Sequence, residues 1–156
     1  MKEGDVIQVA QVVRDIDRAM KMYFETFGIG PWDVYTFGPP AVRDSMVRGK
    51  PSDHVYKLAV TWKGELQLEL MQPLKGKSIY DDFLEKKGEG IHHVKLYYPD
   101  CQAALRRYRA QGYEVIQSGK IDEDEFYYLD TEKSHGVVIE LGNNGKIRAP
   151  ERRYPG

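Results

Sequence analysis

The stretch QVAQVVRDIDRAMKMYFETFG, residues 8–28, decides the fold because the chain uses its plan twice. The second copy is HVKLYYPDCQAALRRYRAQG, residues 93–112. Asp15 and Asp100 each lie seven residues after the first residue of their copy, Ala19 and Ala104 four further on, and Tyr23 and Tyr108 four beyond that. Gly28 and Gly112 close the two copies, which differ in length by one residue. Each copy reads as a strand followed by a helix. Asp15 and Asp100 suit the N-cap, where a side-chain oxygen accepts from a free backbone N–H of the first turn. Ile16, Ala19, Met20, Tyr23, Phe24 and Phe27 follow helical spacing in the first copy, and Cys101, Ala104, Leu105 and Tyr108 in the second.

Each helix needs a surface for its apolar face, and alternating stretches downstream supply it. Strands are expected at about 31–36, 55–62 and 65–71 in the first half and about 113–118, 125–130 and 137–141 in the second. Both halves are then β-α-β-β-β, an α+β protein made of two tandem modules. The expected organisation is one domain over residues 1–156, with repeats at about 6–72 and 90–142. A linking helix at about 78–87 opens on a capping box, Ser78 with Asp81 three residues on. The proline- and glycine-rich FGPPAVRDSMVRGKPSD, residues 37–53, reads as a long loop covering a pocket. The polar tail, residues 143–156, has no core pattern and reads as disordered or lying over the surface.

Composition narrows the partners. With 23 Lys and Arg against 24 Asp and Glu, the net charge of −1 gives no electrostatic footprint for nucleic acid or an anionic membrane, which leaves a small-molecule substrate. No apolar run approaches the roughly 18 residues of a membrane span, and MKEGDVIQ lacks a signal-peptide core, so a soluble cytoplasmic protein is expected. The single cysteine, Cys101, excludes an intrachain disulfide and reads as a small residue of a first helical turn.

Strand parity then isolates a polar face. In LQLELM, Leu66, Leu68 and Leu70 share one face and Gln67 and Glu69 the other; in VVIEL, Glu140 lies opposite Val137, Ile139 and Leu141. At GIHHVKLYY, His93, Lys95 and Tyr97 share the polar face, and His92 turns toward the helix side or the strand's beginning. Each half thus offers a polar group at the start of its first strand, Gln8 or His93, and an acid on its last strand, Glu69 or Glu140. A pseudo-twofold packing of the halves would bring the four together. One imidazole, two carboxylates and an amide oxygen suit a divalent ion such as cobalt, zinc, manganese or nickel. His54 and His135 read as surface residues. Trp32, Tyr35, Tyr97 and Tyr127 are candidates to line a pocket for a flat apolar molecule.

These features together resemble the vicinal oxygen chelate superfamily of glyoxalases, epimerases, extradiol dioxygenases and bleomycin-resistance proteins. The segments that carry the resemblance are VVRDIDRAMKMYFETFGIGPW, LELMQPLKGKSIYDDFLEKKGEGIHHV and FYYLDTEKSHGVVIEL, over about residues 6–142. Within it, the run from Glu69 to His93 is most similar to methylmalonyl-CoA epimerase. The resemblance implies a curved, half-barrel mixed sheet around a metal and substrate cleft, helices on its outer face, and a homodimer. It implies an isomerase that removes a proton next to a carbonyl of an acyl-CoA thioester, with Gln8, Glu69, His93 and Glu140 holding the metal. Glu140 is then the base; Lys57 aligns with a catalytic carboxylate of the epimerases, and Glu69 is the alternative on the opposite face.

Two departures bear on chemistry. Epimerases carry histidine at Gln8 and glutamine at Glu69, whereas the set Gln, Glu, His, Glu resembles zinc-type glyoxalase I, a lyase. The glyoxalase positions that hold glutathione are Val12 and Pro73 here. A metal-free small-molecule-binding protein of the bleomycin-resistance kind is the non-enzyme reading.

Overall fold

The computed structural model describes residues 1–156. The first half runs β1 (Val6–Val12), α1 (Ile16–Phe27), β2 (Trp32–Phe37), β3 (Val42–Val47), β4 (Lys50–Pro51), β5 (Val55–Lys63) and β6 (Leu66–Lys75). Helix α2 (Ile79–Lys87) links it to β7 (Gly90–Tyr97), α3 (Cys101–Ala110), β8 (Val115–Ile121), β9 (Asp124–Leu129), α4 (Glu132–His135), β10 (Val138–Gly142) and β11 (Arg152–Tyr154). All strands join one curved, unclosed sheet in the order β11-β2-β5-β6-β1-β7-β10-β9-β8-β3-β4.

The helix ends form as the capping residues dictate. Asp15 accepts from the Arg18 N–H at 3.1 Å and Asp100 from the Ala103 N–H at 3.0 Å. Gly28, at φ 65°, takes the left-handed position that ends α1. Both arms of the Ser78–Asp81 capping box are present at α2.

The sheet meets itself across an internal dyad. β1 and β7 pair antiparallel at the centre, Gln8 opposite Lys95 and Ala10 opposite His93. β6 runs parallel to β1, with Ala10 beside Glu69, and β10 runs parallel to β7, with Lys95 beside Glu140. The repeat therefore makes Gln8 the counterpart of His93, and Ala10 the counterpart of Lys95.

On the outer face α1 buries Ile16 and Met20 against Trp32, Val34, Ala59 and Leu70, while α3 buries Cys101, Ala104 and Leu105 against Tyr127, Leu129 and Leu141. The inner face carries a separate core rich in rings, with Phe37, Tyr56, Tyr80, Phe126 and Tyr128 among its members.

Two expectations are corrected. Residues 37–53 are not simply a loop: β3 crosses to the other half and pairs antiparallel with β8, extending its edge. The tail is not disordered: β11 pairs with β2 at the opposite edge, and Arg152 and Arg153 meet Asp17 and Asp33. Each half is thus completed by a segment that belongs in sequence to the other. The signal was weak because an edge strand with few apolar residues and nearby prolines lacks clean alternation.

Candidate active site

The inner face of the sheet surrounds a cavity of about 130 Å³ lined by Gln8, Glu69, Lys95, Asp124 and Glu140 among apolar and aromatic side chains. The four residues matched by the repeat do converge. The Nε2 of His93 lies 3.3 Å from a carboxylate oxygen of Glu69 and 3.5 Å from one of Glu140. The Gln8 amide donates to Glu69 at 3.2 Å and also to Gln67. All four are buried: Gln8 4%, Glu69 8%, His93 0% and Glu140 3% exposed.

Burial of like charges sets the electrostatics. Desolvation raises the Glu69 carboxyl to about 7, with Lys95 pulling the other way and Asp124 adding to the rise. Desolvation also raises Glu140. The His93 imidazolium is disfavoured chiefly by burial, which holds the group at about 4 despite Glu140. His93 therefore stands among the acids as a neutral imidazole. Lys95 is held as an ammonium because Asp124, Glu140 and Glu69 outweigh its own burial.

The donor set fits a divalent ion on three grounds. Four buried side-chain polar atoms lack a hydrogen-bond partner, and three of them are Gln8 Oε1, His93 Nε2 and Glu140 Oε1; such atoms are costly unless something binds them. Donors about 2.1 Å from one ion, at octahedral to tetrahedral angles, stand about 3.0–3.4 Å apart, which is close to the His93–Glu69 and His93–Glu140 separations. Finally, three carboxyl groups, Glu69, Asp124 and Glu140, face one ammonium, Lys95, around the cavity, an excess of acidic groups that a cation would meet. No three His, Cys, Asp or Glu side chains already form a finished ligand cluster, so an ion would have to draw the donors together.

His92 departs from its expected placing. The β1–β7 register slips between Ala10 and Gln11, where Ile91 rather than His92 faces Gln11. The irregularity keeps the His92 ring inside, against Tyr80, Phe83 and Tyr128, with its Nδ1 2.8 Å from the Nδ1 of His93. Tyr128 packs edge-on to His93, with ring centroids 4.9 Å apart, and its hydroxyl meets that of Tyr80 at 2.7 Å.

Lys57 is not brought to the site. On β5 it is Tyr56, Leu58 and Val60 that line the cavity, so Lys57 leaves from the opposite face. The aromatic lining is likewise Phe37, Tyr56, Phe126 and Tyr128, one residue out of step with Tyr127. Trp32, Tyr35 and Tyr127 are buried in the cores instead. His54 is no surface residue: it is 4% exposed and stacks on Tyr56. His135 is exposed. Parity already placed Lys95 on the face of His93, but its pairing with Asp124 joins strands that nothing local in the sequence brings together.

A family model described as the glyoxalase/bleomycin resistance protein/dioxygenase superfamily matches residues 7–128. The chain belongs to that superfamily. Within the glyoxalase/bleomycin resistance/dioxygenase fold, a solved methylmalonyl-CoA epimerase in complex with methylmalonyl-CoA and NH4+ superposes with a TM-score of 0.70 at 19% identity, covering 96% of this chain and 100% of that one. A hypothetical protein from Bacillus halodurans C-125 gives 0.72 at 20%, with the same coverage. The methylmalonyl-CoA epimerase of Mycobacterium tuberculosis gives 0.61 at 23%, covering 89% and 86%. Among curated relatives, the uncharacterized protein YqjC of Bacillus subtilis (strain 168) is 29% identical over 85 residues, 50% of this chain and 58% of YqjC. The match thus spans little more than half of YqjC. No helix is long and apolar enough to cross a membrane.

Proposed function

We propose that the protein is a divalent-metal-dependent isomerase that moves a proton next to a carbonyl, in the manner of a methylmalonyl-CoA epimerase. The observation that carries this reading is the pair of buried carboxylates on either side of the neutral His93. A divalent ion held by Gln8, Glu69, His93 and Glu140 would supply Lewis-acid polarisation of the substrate carbonyl, for which cobalt, zinc, manganese and nickel all suit the donors.

The remaining work falls to the chain. Glu140 takes the α-proton from one face of the substrate, and Glu69 returns one on the other. Burial tunes both toward proton exchange near neutral pH, since each carboxyl is held above its ordinary range and Glu69 at about 7. Phe37, Tyr56, Leu58 and Phe126 wall the cavity with apolar surface that excludes water from the carbanionic species. Lys57, facing away, has no part in it.

The substrate of this reading is an acyl-CoA thioester, and the protein is a cytoplasmic homodimer. Exposed Met22, Phe27 and Ile91 offer the apolar surface for pairing, which light scattering would register as twice the 18.0 kDa chain mass. Proton NMR in deuterium oxide with methylmalonyl-CoA and cobalt(II) tests the chemistry. Loss of the α-proton signal with wild type, and not with His93→Ala, is the expected result. Absence of exchange with cobalt, zinc, manganese and nickel alike would overturn it. The pairing of Gln8 with Glu69 favours glyoxalase I-type lyase chemistry as the second reading, which the same metal-loaded protein would reveal by acting on a glutathione hemithioacetal.

A further inference from the structure

The two halves back their members of the quartet differently. His93 has the Nδ1 of His92 2.8 Å from its own Nδ1, and its neighbour on the last strand of its half is the buried, apolar Val138. At the matching place in the first half, Gln8 lies beside Gln67, a half-buried polar residue in the wall of the cavity. A glutamine amide has two unlike ends: its oxygen accepts and can meet a cation, whereas its nitrogen only donates. Which end is left for an ion is therefore decided by what the nitrogen finds. The Gln8 Nε2 donates to Gln67 Oε1 and, at 3.2 Å, to Glu69 Oε2. One amide proton goes to each acceptor, and Gln8 Oε1 remains buried without a partner. The other oxygen of Glu69 stands 3.3 Å from His93 Nε2.

We propose that Gln67 is a positioning residue: by accepting from the Gln8 amide nitrogen, it holds that amide so that the oxygen is the end free to meet an ion. The inference rests on the reading of Gln8 as a metal ligand and assigns a task to a residue outside the quartet. Gln67 does for an amide ligand what a hydrogen-bond partner behind a histidine does for an imidazole, which is to fix its orientation before the ion arrives. Packing does not call for a polar side chain here, because the repeat fills the counterpart position with valine. Glu69 cannot do the whole task, since one of its oxygens faces His93 and the other takes only one of the two amide protons.

The test has two readouts that do not depend on turnover. In metal-free, nitrogen-15-labelled protein, NMR follows exchange of the Gln8 side-chain amide protons with water, the signal being identified by its absence from Gln8→Ala. Gln67→Met keeps the length of the side chain but no strong acceptor, and should speed that exchange roughly fivefold, the scale of one hydrogen bond. Gln67→Val, which copies the second half, should do the same, and Gln67→Glu, which keeps an acceptor, should restore slow exchange. Each variant is checked by thermal unfolding. The second readout is cobalt(II) titration by calorimetry, with the cobalt absorption band recorded beside it. Gln67→Met should bind about tenfold more weakly with an altered band, and should cost nothing further when Gln8 is already alanine. Unchanged Gln8 exchange in the well-folded Gln67 variants, or an equal loss of cobalt affinity with and without the Gln8 amide, would overturn the proposal. A wild type that takes up no cobalt would instead sink the metal reading, while the exchange rates would still decide whether Gln67 holds the amide.

Discussion

His92 is not one of the four residues proposed to hold the ion, yet its Nδ1 sits 2.8 Å from the Nδ1 of His93. One of the two nitrogens must carry a proton. If His93 offers its Nε2 lone pair to a cation, its proton is on Nδ1 and is donated to His92, which fixes both tautomer and ring plane. The His92 ring also packs against the Tyr80, Phe83 and Tyr128 rings, an aromatic surround that suits a phenyl group. His92→Phe is therefore expected to fold normally and to bind cobalt(II) about 10–100-fold more weakly, the usual effect of losing a hydrogen bond behind a histidine ligand. A calorimetric titration giving unchanged affinity would show that the His92–His93 contact does not orient the ligand. Strand alternation told His93 from Val94 and Glu69 from Leu70, because each residue in a regular strand has only two directions to choose from. It could not place His92, since a slip in register between Ala10 and Gln11 changes that choice and leaves no mark in composition.

At the scale of elements, the strap from Asn143 to Tyr154 is what sequence periodicity hid. It runs from β10 to the far edge of the sheet, and on the way Asn144, Gly145 and Ile147 form one wall of the cavity. Its anchor is Arg148, whose guanidinium and backbone N–H both donate to Asp122. Those bonds hold the Asp122 carboxyl down at about 2. A depressed carboxyl contributes stability that is complete above its unfolded value, near 3.8, and is lost as pH falls through about 2. Asp122→Asn keeps a residue that tolerates the φ of 53° at this position. Wild type should accordingly melt higher than the variant at neutral pH, and the gap should close as pH falls through the window from about 3.8 to about 2. A gap that persists unchanged at the acid end would mean that the carboxylate's charge does not hold the strap. The starts of α1, α2 and α3, by contrast, were legible to the residue. Asp15, Ser78 and Asp100 satisfy local backbone donors, and local bonds need no knowledge of the rest of the chain. β3 and β11 pair with strands far away in sequence, and nothing local specifies such partners.

The whole molecule is two repeats whose only central seam is β1 against β7, and the quartet lies across that seam, Gln8 and Glu69 from one half and His93 and Glu140 from the other. An ion taken up there ties the halves together at the point where burial of charge most opposes folding. Without it, the three carboxyl groups around the cavity face only the Lys95 ammonium, and burial raises the Glu69 carboxyl to about 7. Binding to the folded state alone adds RT ln(1 + [L]/Kd), about 2.7 kcal/mol at a hundredfold excess over Kd. For a chain of this size, roughly 2–4 °C per kcal/mol is expected, so cobalt(II) or zinc should raise the melting temperature by about 5–10 °C and a chelator should reverse it. The rise should disappear in Glu140→Gln, Glu69→Gln, a double variant that removes the charge of both acids while keeping their shape. An equal melting temperature with and without metal in the wild type would detach the quartet from metal chemistry. The excess of acidic groups would then have to be met by the ligand itself, as in a binding protein that uses the same cup for a cationic molecule.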